Sequence, residues 1–207
     1  MSAHCCPPPV TPGVLPPGYR RALWVALVVN ALMFVVEVGA SAHAGAVSLL
    51  ADSIDFFGDA ANYALSLAVL SLGLAWRARA AVVKAACMLG FGAFVLARAG
   101  WAAAAGLPPE PLTMGLVGVL ALAANVGVAV MLYRFRQGDA NMRSVWLCTR
   151  NDAIGNVAVI GAAFGVLGTG TAWPDLAVAA LMAGLAMSAG WSVLRLARTE
   201  LAAAGRA

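Results

Sequence analysis

Two runs without a single charged residue, Leu112 to Leu132 and Leu176 to Leu194, are too apolar for the surface of a water-soluble domain. A hydrocarbon core of roughly 30 Å takes about 20 helical residues, and backbone polar groups inside it must be satisfied within the segment, so each run reads as a membrane-spanning helix. Four further runs carry isolated polar groups: about Ala22 to Ala42 with Glu37, Ala46 to Leu74 with Asp52, Asp55 and Asp59, Val82 to Ala105 with Arg98, and Val145 to Leu167 with Asp152. A composition of 62% hydrophobic and 11% charged residues lies well outside the range of soluble globular chains and agrees with this reading. The expected fold class is therefore all-α: a polytopic membrane protein with six transmembrane helices. The expected domains are a flexible Pro-rich tail over residues 1–19, one transmembrane bundle over 20–197, and a short tail over 198–207.

Lys and Arg resist translocation, so their distribution among the loops sets the orientation. Eleven of the thirteen basic residues fall before the first span, between the second and third or, as Lys84, at the first turn of the third, between the fourth and fifth, or after the sixth. The alternate loops, near Ser41 to Ala44, Gly106 to Glu110 and Gly168 to Asp175, have none. Both termini are thus expected in the cytoplasm, with the chain a multi-pass protein of the cell's inner (cytoplasmic) membrane and the lipid bilayer its surroundings. The net charge of +4 is used up in this topology, which leaves no basic patch for nucleic acid. No cleavable signal peptide is expected, because Arg21 is followed by a full-length span.

The N-terminal tail gathers His4, Cys5 and Cys6 ahead of three consecutive prolines. Its Pro density favours an extended segment, and its metal-binding side chains suit either a loading station for metal at the cytoplasmic mouth or no more than a mobile tail. Two cysteines adjacent in a cytoplasmic tail and two in separate spans argue against a disulfide framework, and Cys87 reads as a small buried hydrophobe.

The chemistry lies in the second span. At 100° per residue, Ser48, Asp52, Asp55, Asp59, Asn62 and Ser66 fall within about 80° of one another, a narrow polar stripe on an apolar cylinder. Asp55 and Asp59 lie one turn apart and can converge on one ion. Polar side chains also hold membrane helices together by hydrogen bonds. Three acids on a single stripe, however, outnumber the Arg side chains that the spans offer, so a proton or a metal must neutralise them. The fifth span supplies Cys148, Asp152 and Asn156 at the same four-residue spacing. Two helices each offering such a pair give four ligands, the number taken by a tetrahedral zinc-like ion, and a thiolate favours Zn2+, Cd2+ or Co2+ over Mg2+ or Ca2+. The predicted metal ligands are Asp55, Asp59, Cys148 and Asp152. Asp52 is either a relay near the site or a helix-packing group, and Asn62 and Asn156 either orient ligands or bridge helices. Arg150 is expected to snorkel to the cytoplasmic end, while Arg98 either snorkels outward or pairs with Glu37.

The run Ser48-Leu-Leu-Ala-Asp-Ser-Ile-Asp-Phe-Phe-Gly-Asp59 resembles the second-helix signature of the cation diffusion facilitator family, and Cys148-Thr-Arg-Asn-Asp-Ala153 resembles its fifth-helix counterpart. Trp173-Pro-Asp175 at the entry to the last helix and the six-span layout are similar to the family as well. The resemblance covers about residues 20–197. It implies a proton-coupled exporter of divalent metal, usually zinc, that works as a homodimer and holds its ion on the paired residues of the second and fifth helices. Cys148 stands where the family usually has His or Asp, which leaves Zn2+, Cd2+ and Co2+ as candidate cargo. The chain ends at Ala207, and the family's cytoplasmic metal-binding domain is not within it, so dimerisation and regulation are expected either to come from the membrane helices or not to occur.

A short internal echo, Gly58-Asp-Ala-Ala-Asn62 against Asn151-Asp-Ala-Ile-Gly-Asn156, places two similar motifs three spans apart, as inverted repeats around a midplane site would. The metal is cargo, and no resident cofactor is expected. A non-transporting membrane metal sensor or accessory subunit is the alternative function. An enzyme is not expected, since no nucleophile with a base is visible and both histidines, His4 and His43, lie outside the spans.

Overall fold

The structure, a computed structural model, describes residues 17–68, 74–135 and 140–204, with side-chain detail omitted for 74–78, 80–81, 84, 140–151, 200 and 202–204. It contains six helices and, among the described residues, no strand: α1 (Tyr19–Ala44), α2 (Val47–Ala68), α3 (Leu74–Ala105), α4 (Pro111–Tyr133), α5 (Ala140–Thr169) and α6 (Trp173–Ala204). Helices α1 and α4, together with Ala85–Ala105 of α3, Asp152–Thr169 of α5 and Trp173–Thr199 of α6, are long and apolar enough to cross a membrane. At 22 residues, α2 spans about 33 Å, but its three aspartates set it apart from the other five in composition. That burden of charge explains its position. It packs against each of the other five helices, and of its residues only Ala64 is exposed.

The bundle is polar within and apolar without. Asn30, Glu37, Asp52, Asp59, Asn125 and Asn156 are buried, whereas Leu32, Val35, Leu116, Val130, Phe164 and Leu181 are exposed. Hydrocarbon surroundings reward this arrangement, since exposed apolar side chains cost nothing there and polar ones must find partners inside. Two apolar clusters bracket the polar interior. One joins the start of α2 (Val47, Leu49, Ile54) to Met114 of α4, Val159 and Val166 of α5, and Leu176 and Ala183 of α6. The other joins Tyr19, Leu23 and Ala26 of α1 to Tyr63 of α2 and to Val128, Leu132 and Phe135 at the end of α4. Met33, Phe56 and Ala121 pack between them.

Local chemistry fixes the ends of the helices. Gly45, at φ 67°, takes a left-handed conformation that lets α1 reverse into α2 within two residues. Backbone N–H of Glu110 closes on the Ala44 carbonyl at 2.9 Å, so the α3–α4 connection covers the end of α1. Asp175 has a larger role. Its carboxylate accepts from the Val47 N–H at 2.8 Å and the Ser48 N–H at 2.9 Å, capping the first turn of α2 from 128 residues away, while it also sits in the first turn of α6. One buried anion therefore serves two helix N-termini, where unpaired N–H groups and the macrodipole both favour negative charge. Asp175→Ala is expected to destabilise the folded chain by about 2 kcal/mol or more, the scale of hydrogen bonds to a charged acceptor. Hydrogen exchange at Val47 and Ser48 then accelerates while α4 is unaffected. Equal protection in the variant and the parent would remove this role.

Candidate metal centre

The α2 stripe is placed as helical geometry requires. Ser48, Asp52, Asp59 and Ser66 are buried, and Asp55 and Asn62 are half-buried on the same face. Asp55 and Asp59 stand one turn apart. The Tyr63 hydroxyl, a further turn along, donates to Asp59 Oδ2 at 3.0 Å and so fixes one carboxylate oxygen. Across the interface, Asp152 of α5 is half-buried. Its carboxyl interacts directly with that of Asp59 and electrostatically with those of Asp55 and Asp52. Acids from two helices distant in sequence are thus brought to one region of the interior. Every Arg whose side chain is described, Arg98 included, is exposed, so among the described residues no guanidinium reaches in to neutralise them.

Among the described residues, no three Asp, Glu, Cys or His side chains close tightly enough on a single point to hold a metal ion. Cys148 lies on α5 one turn before Asp152, but its side chain falls outside the described residues, as does that of Arg150. His4, Cys5 and Cys6 also lie outside them. Cys87 is a half-buried free thiol on α3.

Asn156 is fully buried and bridges three helices. Its Nδ2 donates to Asp52 Oδ2 at 2.7 Å, and its Oδ1 accepts from Asn125 Nδ2 of α4 at 2.8 Å. The directions of these bonds fix the orientation of both amides and hold Asp52 against α5. Asn125 went unremarked in the sequence because Leu112 to Leu132 carries no charge; its signal was that it is the one carboxamide in that run. Glu37 of α1 is fully buried, its carboxyl meets that of Asp52 and faces Asp55, and no N–H or hydroxyl group donates to either of its oxygens. The choice that the sequence left open for Arg98 is thereby decided. Arg98 is exposed and does not pair with Glu37.

A polar interior with acids from two helices, closed at each end by an apolar cluster, suits a cation held midway through a bilayer. Comparison with known proteins agrees. Residues 23–202 match the cation efflux transmembrane domain. The chain is 24% identical over 192 residues to the metal cation efflux system protein CzcD of Cupriavidus metallidurans, an alignment covering 87% of this chain and 61% of the relative. The cation efflux system protein CzcD of an Alcaligenes species aligns with the same identity and coverage. The chain thus spans about three fifths of the length of these curated relatives.

Proposed function

The chain belongs to the cation efflux family, and from that premise we propose that it exports divalent metal from the cytoplasm in exchange for protons, Zn2+ foremost, with Cd2+ and Co2+ as further cargo. The observation that carries this reading is the meeting of the Asp152 carboxyl with Asp59, within electrostatic reach of Asp55, in an interior that no described arginine enters. Four anions or potential anions, Asp55, Asp59, Cys148 and Asp152, provide the donor number and donor types of a tetrahedral zinc-like site. When no metal is present, protons are the counter-ions that remain. Metal and protons then compete for the same oxygen and sulfur atoms, and binding of one releases the other.

The two apolar clusters supply the barriers such a carrier needs. Separating the cluster around Tyr19, Tyr63 and Phe135 admits the ion from one side, and separating the cluster around Val47, Leu176 and Ala183 releases it on the other. Opening one at a time exchanges metal for protons without a continuous pore. The exposed Arg20, Arg21, Arg134, Arg195 and Arg198 lie near the start of α1 and the ends of α4 and α6, which supports reading that end as cytoplasmic and the bundle as a protein of the cytoplasmic membrane. We read the working unit as a homodimer joined through the apolar outer faces of its helices, and as a carrier rather than an enzyme.

Reconstituted vesicles holding the full chain and a trapped pH indicator test the reading. With Zn2+ on the cytoplasmic face, metal accumulates and the lumen loses protons; Cd2+ and Co2+ follow, and lowering the pH on the metal's own side slows all three. Tight binding without flux identifies an accessory or sensing role, and flux without any pH change removes the proton exchange.

A further inference from the structure

The export reading leaves Glu37 unused, although it is a fully buried acid in the interior. It lies on a membrane-spanning helix, has no exposed surface, receives no hydrogen bond from an N–H or hydroxyl group, and meets another acid, Asp52. A buried carboxyl in that state costs several kcal/mol unless something positive approaches it. The polar chain beside it starts from a bare acceptor. Donation runs from Asn125 to Asn156 and from Asn156 to Asp52, and the Asn125 Oδ1 at its start is buried with no partner. Glu37 faces Asp52. The amides thus spend donors on each other and on Asp52 while acceptors accumulate, and every described Arg is exposed. An excess of buried acceptors is what a cation relieves.

We propose that Glu37 and Asp52, with the Asn125–Asn156 amide pair beside them, form a second site for a divalent cation, built from oxygen donors alone, which receives the exported ion after it leaves the Asp55, Asp59, Cys148 and Asp152 centre. The proposal rests on the export reading for its role in transport, and for its existence on the buried Glu37–Asp52 carboxyl pair, to which no cationic side chain is described nearby, and on the unpartnered Asn125 oxygen. Two carboxylates match the charge of one divalent ion, and neutral amide oxygen is an ordinary ligand for hard cations. Asp52 precedes Asp55 by three residues, about 4.5 Å along α2 toward the α1–α2 turn, so the second site lies roughly one turn from the first in the direction of release. Its donors hold a zinc-like ion less firmly than a set that includes thiolate. A weaker site on the exit side lets the ion leave the tighter one without a single large step, as conduction through successive sites requires.

The test uses the full chain in lipid nanodiscs with Cys5 and Cys6 replaced by serine and Cys87 by alanine, so that the ultraviolet thiolate-to-cadmium band reports Cys148 alone. Equimolar Cd2+ is bound first, and Mn2+, a hard cation visible by electron paramagnetic resonance, is then titrated. Mn2+ is expected to bind alongside Cd2+. Glu37→Gln weakens Mn2+ binding by at least about tenfold and leaves the cadmium band in place. Asp52→Asn does the same and decides the matter should Glu37→Gln fail to fold. Unchanged Mn2+ affinity in a folded variant overturns the proposal, and so does loss of the cadmium band together with Mn2+, which would mean a single site. Absence of the cadmium band from the parent instead removes the first centre, a failure of the export reading that the Mn2+ titration registers separately.

Discussion

Metal flux falls by roughly a hundredfold or more when Asp59 is replaced by alanine, and by a similar factor for Asp152→Asn, while Tyr63→Phe lowers it much less. Even residues that only orient metal ligands cost ten- to a hundredfold on removal, and a ligand that supplies both a bond and a charge costs more. Asp59 is the residue most exposed to this argument. It shares an α2 turn with Asp55, its carboxyl meets that of Asp152, and Tyr63 holds one of its oxygens at 3.0 Å. Alanine removes the bond and the charge together; phenylalanine at position 63 only releases an oxygen that the ion itself can hold. Because the ligands act as a unit, Asp59→Ala combined with Asp152→Asn should be no slower than either alone, a non-additivity that separate structural roles would not give. Initial uptake rates in vesicles, with helical content and monodispersity checked for each variant, make the comparison. Appreciable flux in folded Asp59→Ala removes this aspartate from the transport path.

What the sequence reveals of such a site depends on which physical signal each residue leaves. The spans are legible because bilayer thickness imposes a length on apolar runs, and Asp52, Asp55 and Asp59 are legible because charge in such a run is expensive and their spacing is helical. The central position of α2 leaves a weaker trace. It follows from which helices pack together, and the only local clue is that α2 carries more charge than lipid contact allows. Glu37 was visible but ambiguous, since a lone acid and Arg98 in a neighbouring span suggest an ion pair; the fold gives Glu37 to α2 and leaves Arg98 on the surface. Asn125 was lost for another reason. An uncharged amide barely disturbs hydropathy, and its importance lies in a bond to Asn156, 31 residues away. Asp175 reads from sequence as an ordinary acid in the first turn of α6, yet its two bonds reach across to α2, because capping at a distance has no local pattern.

Exchange of Cys148 for histidine changes which metal moves rather than whether metal moves. The backbone stays on α5 one turn before Asp152, so the four-residue spacing is kept and only the donor atom differs. A thiolate binds Cd2+ through a soft, polarisable sulfur, whereas imidazole nitrogen is a borderline donor that suits Zn2+ and Co2+. The ratio of Cd2+ to Zn2+ flux should therefore fall by about tenfold or more in Cys148→His while Zn2+ transport persists. Cys148→Ser has the opposite character. A serine hydroxyl keeps its proton at neutral pH, so the site loses an anionic ligand and both metals slow together. Competition between Zn2+ and Cd2+ in the same vesicle preparation reads the ratio directly and cancels differences in the amount of active protein. If the histidine variant carries the two metals in the parent's proportion, the side chain at position 148 does not touch the ion. The selectivity of the centre must then rest on Asp55, Asp59 and Asp152 alone, an all-carboxylate set whose preference shifts toward harder cations such as Mn2+.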